Sequence, residues 1–203
     1  MFSKLVFLTF EQGDSPIMRR LLPCLCLVLL CGSAAFAQDR DYPKFDFTAG
    51  YTFNYLETPA PSSDRENLHG FSLAAAANFR KHVAVEFDVT YTTKDTLGVN
   101  QHLITYIIGP RYTWRRDNSK LEPFVHALVG GGQLGGFPAT IGTPPITTDG
   151  WAGKFGGGLD IKAGKHVAIR VAQVDYYRFH GHIPGGSQRL DNLAFTFGIR
   201  FFK

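Results

Sequence analysis

Two carboxylates close together in the sequence are the first side chains that could carry chemistry. Glu86 and Asp88 are two positions apart, so on a strand they would point to the same face. Such a pair could act as general acid and general base. His126 could assist, but its own segment holds no serine, and the candidate nucleophile Ser72 belongs to a distant segment. A catalytic reading is therefore weaker than a structural one.

Metal and nucleotide chemistry have still less support in this sequence. His180 and His182 are two apart in a predicted loop, where two imidazoles are more often solvated than bound to a metal. The glycine clusters 130–132 and 156–158 are not followed by the Lys-Ser/Thr pair and the helix that a phosphate-binding loop needs. We therefore expect no catalytic, cofactor-binding or metal-binding residue and no cofactor.

The elements that must position these side chains are strands. Eight segments alternate large apolar residues with small or polar ones, the pattern of a strand with two different faces. The last segment is the clearest example, with Leu193, Phe195, Phe197, Ile199 and Phe201 on one face. The predicted strands are 45–55, 68–79, 83–92, 105–114, 122–131, 151–161, 167–177 and 192–203.

The connections between these strands alternate between long and short. Long ones begin at Leu56, Thr93, Gly132 and Arg178, and short ones lie at Arg80, Arg116 and Lys162. Outer-membrane barrels sort their loops in this way, with long extracellular loops and short periplasmic turns. The sequence therefore predicts that Ser62, Gly135, Pro145 and Gly185 lie outside the cell, and that Lys81, Asn118 and Gly164 lie in the periplasm.

Two irregularities are expected within the strands. Pro110 has no N–H to donate, so a bulge or distortion should occur in the fourth strand. The alternation slips in the seventh strand, and a bulge near Ala172 would bring Gln173, Asp175 and Tyr177 to the inner face. In the fifth strand the alternation is blurred, and we place His126 inside.

The N-terminal segment has the features of a secretory signal peptide. A basic pair, Arg19-Arg20, precedes an apolar run and then Ala35-Phe36-Ala37, an Ala-x-Ala cleavage site. We predict that residues 1–37 are an N-terminal extension and cleaved signal, with Met1 or Met18 as the true start, and that 38–203 form the barrel. All three cysteines, Cys24, Cys26 and Cys31, fall in this segment. A lipoprotein reading on Cys31 competes with this one, but Leu30 occupies the preceding position, where a small residue is needed.

Together these patterns resemble the small eight-stranded outer-membrane β-barrel proteins, similar to the barrel of outer membrane protein A. The resemblance rests on the signal peptide, the eight strands, the segments 109–112 and 156–160, and the aromatic C-terminus. It implies an all-β, eight-stranded antiparallel up-and-down transmembrane barrel in the bacterial outer membrane, in contact with outer-membrane lipid and lipopolysaccharide. It also implies insertion by the outer-membrane assembly machinery, with Phe197, Ile199, Phe201 and Phe202 as the assembly signal. Lys203 departs from the family by following the final aromatic.

A barrel of eight strands has an interior only wide enough for side chains. Charges placed there must pair or bear a large desolvation cost, so we predict a salt-bridged lumen that blocks diffusion. The predicted network consists of Asp46, Glu86, Asp88, Arg111, Lys154, Asp160, Arg170, Asp175 and Arg200.

These features predict a monomeric surface-exposed structural barrel, porin-like only in its fold, with loops available for interaction. A small channel and an outer-membrane lipid-modifying enzyme remain alternatives. A soluble lipocalin-like barrel fits less well, because it would carry apolar residues inside and polar residues outside. The formal net charge of +4 is small and scattered along the chain, so nucleic acid is not expected as a partner.

Overall fold

The barrel is described here from a computed structural model, which covers residues 42–57, 65–96, 99–138, 145–183 and 186–203. The predicted signal peptide, the three cysteines, Ser62 and Gly185 lie outside the described residues, so the predictions about them stay predictions. The strands are β1 (Phe45–Glu57), β2 (Arg65–Asn78), β3 (Val83–Thr96), β4 (Val99–Thr113), β5 (Leu121–Pro138), β6 (Pro145–Lys162), β7 (Val167–Ile183) and β8 (Gly186–Phe202).

Each strand pairs with the next in antiparallel fashion, and β8 pairs with β1 to close the barrel. The predicted up-and-down barrel of eight strands is confirmed. Segments 79–82, 114–120 and 163–166 connect strands at one end, where Phe45 and Phe202 also lie. We call this the turn end, and the opposite end, where β1 meets β2, β3 meets β4, β5 meets β6 and β7 meets β8, the hairpin end. In the described part of the chain no helix is long and apolar enough to cross a membrane.

The strands extend further toward the hairpin end than the sequence predicts. Gly132 pairs with Gly150 and Pro138 with Pro145, although the whole stretch 132–150 was expected to be a loop. Arg178 likewise pairs with Asp191. The predicted loops starting at Thr93, Gly132 and Arg178 are therefore wrong in extent, because ladder pairing continues past the residues with strong strand propensity. Gly135 and Pro145 are strand residues at the hairpin end.

The expected bulge in β7 is present. Leu159 pairs with Ala172 and Asp160 with Arg170, so one register step is inserted between them. The same step occurs against β8, and Val171 and Ala172 both face outward. The prediction for Ala172 is confirmed, and the bulge turns Gln173 and the residues after it inward.

Pro110 distorts β4 without a bulge. The register between β4 and β5 is the same on both sides of it, but Gly109 and Pro110 form no pairs with β5. A Cβ on Gly109 would lie 2.1 Å from the carbonyl oxygen of Ala127, so only glycine fits at this close approach. A second irregularity, not predicted, separates Leu134 from Phe137, where Gly136 has φ of 81°.

The outer wall is an apolar belt, with exposed side chains such as Phe155 at 65% and Phe71 at 54%. Aromatic residues border it at both ends, as a lipid-facing barrel requires. Phe45, Phe79, Tyr112, Trp114 and Phe201 lie toward the turn end, and Tyr55, Tyr91, Trp151 and Tyr176 lie toward the hairpin end. The buried core of the protein is the lumen.

Candidate functional site

Strand alternation directs a complete set of charges into the lumen. All nine residues of the predicted network are at most 5% exposed. Three further charged residues, Arg115, Glu122 and His126, are buried with them. The buried acidic residues are Asp46, Glu86, Asp88, Glu122, Asp160 and Asp175, and the buried Lys and Arg residues are Arg111, Arg115, Lys154, Arg170 and Arg200.

Arg111 joins three strands at one side of the lumen. Its Nη1 donates to Glu86 Oε2 at 2.8 Å, and its Nη2 donates to Asp46 Oδ2. Arg115 donates to the same oxygen of Asp46 at 3.2 Å and to Asn78 Oδ1 at 3.1 Å. These contacts tie β1, β2 and β3 to β4 and to the turn that follows it.

His126 occupies the centre of the network. Its Nδ1 lies 2.8 Å from Glu86 Oε1, and its Nε2 lies 2.9 Å from Asp175 Oδ1. Ionised carboxylates only accept hydrogen bonds, so both ring nitrogens must donate, which requires the imidazolium form. With that sixth positive charge, the six buried carboxylates are balanced.

Lys154 reaches the same centre from β6. Its Nζ donates to Asp88 Oδ1 at 2.9 Å and lies 3.8 Å from Asp175 Oδ2. Asp88 also accepts from the hydroxyl of Thr90 at 2.8 Å. Gly156 provides space for this contact region, because a Cβ there would lie 2.2 Å from Asp175 Oδ1.

A third group of buried charges lies beside β6, β7 and β8. Arg170 donates to Asp160 Oδ1 at 2.8 Å and stacks its guanidinium 4.3 Å from the centre of the Phe124 ring. Arg200 donates to Glu122, and its Nη1 lies 3.2 Å from Asp160 Oδ2.

Shared carboxylates join these groups into one network. Glu86 contacts both Arg111 and His126, and Glu122 contacts both Arg200 and Arg115. We call the twelve buried charged residues the charged plug. A buried charge without its partner costs several kcal/mol, so each member stabilises the placement of the next.

The lumen changes character toward the hairpin end. There apolar side chains form a buried cluster beside buried polar residues such as Thr52, Asn54 and Gln101. We call this cluster the apolar layer: Leu68, Leu103, Ile107, Leu128, Leu134, Ala152, Tyr177 and Phe179. Sequence analysis gave only a charged lumen and missed this layer. The sequence signal for this layer lies in β4, where Leu103 and Ile107 fall on the same strand face as the inward Thr105 and Arg111.

A small chamber lies between the charged plug and the apolar layer. It is lined by Lys154, Thr92, Asn54 and Leu103, among others, and its space for a water-sized sphere is about 10 Å³, roughly the volume that one water needs. Asn54 Oδ1 and Thr92 Oγ1 are buried there without a hydrogen-bond partner.

Arg115 and Glu122 are plug residues that sequence reasoning missed. Arg115 follows the end of β4, but it keeps the inward parity of Arg111 and Thr113. Glu122 shares the parity of His126, which the structure places inside as predicted. Arg115 lies one residue past the predicted fourth strand, and Glu122 is the first residue of the predicted fifth strand, so strand parity applied to both positions would have found them.

The residues considered for catalysis are arranged for pairing. Both nitrogens of His126 contact carboxylates, and Glu86 and Asp88 contact Arg111 and Lys154. His180 faces outward, where its ring stacks 5.9 Å from that of Trp151, and the side chain of His182 lies outside the described residues. Among the described residues no group of three or more His, Cys, Asp and Glu side chains could hold a metal ion.

The C-terminal aromatics divide between the two faces. Phe197, Ile199 and Phe201 belong to the outer belt, with Phe201 47% exposed. Phe202 shares the parity of Arg200, whose guanidinium lies 5.0 Å from the centre of the Phe202 ring. Phe201 is therefore the terminal aromatic on the outer face. The backbone of Lys203 bonds to Lys44 and Phe45.

Solved structures match the fold of the barrel. Neisserial surface protein A superposes with a TM-score of 0.63 at 11% identity, covering 78% of this chain and 96% of that one. The chain has the fold of the small outer-membrane barrels. Ail, the attachment invasion locus protein of Yersinia pestis, solved with the heparin analogue sucrose octasulfate, gives 0.49 at 15% identity, covering 79% and 99%. Outer membrane protein W of E. coli gives 0.45 at 15% identity, covering 81% and 100%.

No family model and no curated protein matches the chain. At these identities the solved structures establish the barrel fold alone. The charged plug and the apolar layer are properties of this chain's own residues.

Proposed function

We propose that this protein is a structural barrel of the bacterial outer membrane whose lumen is closed to diffusion. The observation that carries this proposal is the pairing of all twelve buried charges inside a wall that is apolar outside. A barrel with a conducting path would leave charged groups facing water. Here the chamber between the plug and the apolar layer has space for about one water.

The proposal includes a route and an orientation. The signal peptide would direct export, and the outward aromatics of β8 would serve recognition by the assembly machinery. The turn end would face the periplasm, because both ends of the barrel chain lie there, as in outer-membrane barrels. The hairpin end would then be on the cell surface, in contact with lipopolysaccharide and available for interaction, with the barrel as a monomer.

Single cysteines test the location and the orientation together. The sequence has no cysteine after Cys31, so Asp95→Cys and Asp149→Cys report on the hairpin end, and Asn118→Cys and Gly164→Cys on the turn end. In intact cells an impermeant maleimide should label only the first pair, and outer-membrane fractions should contain all four variants. Labelling of the turn-end pair alone would reverse the orientation. A barrel recovered as a soluble monomer without detergent would refute the membrane location.

A further inference from the structure

Basic residues that are scattered along the sequence come together at one end of the barrel. They occupy all three turns and the C-terminus, and each is exposed or half-exposed. We call this group the basic collar: Arg80, Lys81, Arg116, Lys120, Lys165 and Lys203. Asp117 is the only acidic residue in the three turns, and it accepts from Lys81 at 2.5 Å.

The collar borders the apolar belt around the whole circumference. Arg80 follows Phe79, which is 60% exposed, and Lys120 precedes Leu121, which is 49% exposed. Arg116 lies two residues after the outward Trp114, and Lys203 two residues after Phe201. Long basic side chains at such positions can keep their stems against hydrocarbon while the charged ends reach the headgroups.

Among the side chains that the structure describes, the hairpin end has no comparable excess. The charged side chains described near it, outside the lumen, are two basic and three acidic residues: Lys94, Arg178, Asp95, Asp149 and Asp191. Arg178 and Asp191 pair with each other at 2.7 Å. The positive charge of the barrel surface is therefore concentrated at the turn end.

We propose that the basic collar binds anionic phospholipid headgroups in the membrane leaflet on the turn side. This inference rests on the proposed membrane location. A membrane meets the barrel as a ring, and the collar is a ring at the depth where the belt ends, whereas a compact acidic protein would touch only one sector. Clustered Lys and Arg beside a membrane attract anionic lipid, and the attraction falls within a Debye length.

The test compares two double variants of the barrel in vesicles. Arg80→Gln with Arg116→Gln removes two collar charges on different turns, and Lys94→Gln with Arg178→Gln removes two basic charges at the hairpin end as a matched control. Each protein is reconstituted into vesicles of equal parts phosphatidylcholine and phosphatidylglycerol. Spin-labelled forms of the two lipids then report their relative association with the barrel.

The wild-type barrel and the control should prefer phosphatidylglycerol several-fold, and the collar variant should lose most of that preference. Raising the salt from about 0.1 M to about 1 M should weaken the wild-type preference, because screening shortens the range of the attraction. Equal association of both lipids with wild type, or an unchanged preference in the collar variant, would overturn the proposal. So would a collar variant that keeps its lipid preference but loses binding to cell-wall fragments.

Insertion itself separates this inference from the proposed function. A wild-type chain that does not insert into vesicles at all contradicts the membrane location. A chain that inserts without preferring the anionic lipid contradicts only the proposal that the basic collar binds anionic lipid.

Discussion

The two halves of the lumen are filled by different kinds of side chain. Near the turn end, twelve charged side chains fill the barrel as paired ions. Toward the hairpin end the apolar layer, with Leu103, Leu134 and Phe179, packs beside uncharged polar side chains. The charged plug depends on completeness, because one missing partner leaves a charge buried. The apolar layer depends on volume, because hydrocarbon side chains make no directional bonds.

This difference shows that a barrel lumen need not be uniformly polar. The chamber beside Lys154 marks the boundary between the halves. Its buried polar atoms without a hydrogen-bond partner are neither paired as ions nor packed as hydrocarbon. Substitutions in the two halves should therefore fail in different ways.

The largest effect is expected in the charged plug. Replacing Arg111 by Met leaves Asp46 and Glu86 without their shared guanidinium, which should cost roughly 3–5 kcal/mol of unfolding free energy. Urea unfolding in detergent micelles measures it. Arg80→Met, a change at an exposed turn residue, is the control and should have little effect. A loss for Arg111→Met no larger than that of the control would remove the distinction between the halves.

A somewhat smaller effect is expected in the apolar layer. Leu103 is 2% exposed, and Leu103→Ala should cost about 2–4 kcal/mol through lost burial and a new cavity. The same unfolding experiment measures this loss. Leu103→Met, which nearly conserves volume, should recover most of the stability. If the methionine variant is as unstable as the alanine variant, volume is not what this half of the lumen requires.

A smaller change in unfolding free energy is expected in the chamber, and its sign tells whether a water is bound there. A water there would bond to the hydroxyl of Thr92, so Thr92→Val should destabilise the barrel by about 1 kcal/mol. The hydroxyl of Thr48 is also buried without a partner but does not line the chamber. Thr48→Val should therefore be neutral or stabilising. Stabilisation by Thr92→Val would indicate a dry chamber.

The smallest effect is expected for an ion pair outside the lumen. The hydrogen bond from Lys81, and then its charge, hold the pKa of Asp117 below its ordinary value of 3.8. A lowered folded-state pKa contributes stability above the unfolded-state value, and that contribution is lost as the pH falls through the folded-state value. Asp117→Asn should thus reduce stability slightly at neutral pH and leave it unchanged in strong acid. A difference from wild type that persists in acid would mean that charge is not responsible.

Alternation in the sequence predicted the strands and the inward direction of most buried charged residues. The bulge at Ala172 could be read from the parity slip in β7. The extension of the strands toward the hairpin end could not be predicted from the sequence. The glycine-rich and proline-rich segments around Gly132 and Pro145 have weak strand propensity, and they form strands because they pair with each other.

Two further features required the three-dimensional arrangement. The apolar layer combines inward residues from five strands, and no strand contributes more than two of them. The basic collar consists of residues distant in sequence, such as Arg80 and Lys165. Up-and-down strands bring them to one end, and closure of the barrel arranges them as a ring.

The most direct test of the closed lumen joins ion conductance with unfolding in one set of variants. Arg170 pairs with Asp160 at 2.8 Å, so Arg170→Met should lower the unfolding midpoint, and Asp160→Asn added to it should restore part of the loss. Wild-type protein in planar bilayers should show no conductance steps. Steady conductance by wild type, altered by Arg170→Met while the unfolding midpoint stays unchanged, would show that these charges line an open path and would contradict the plug.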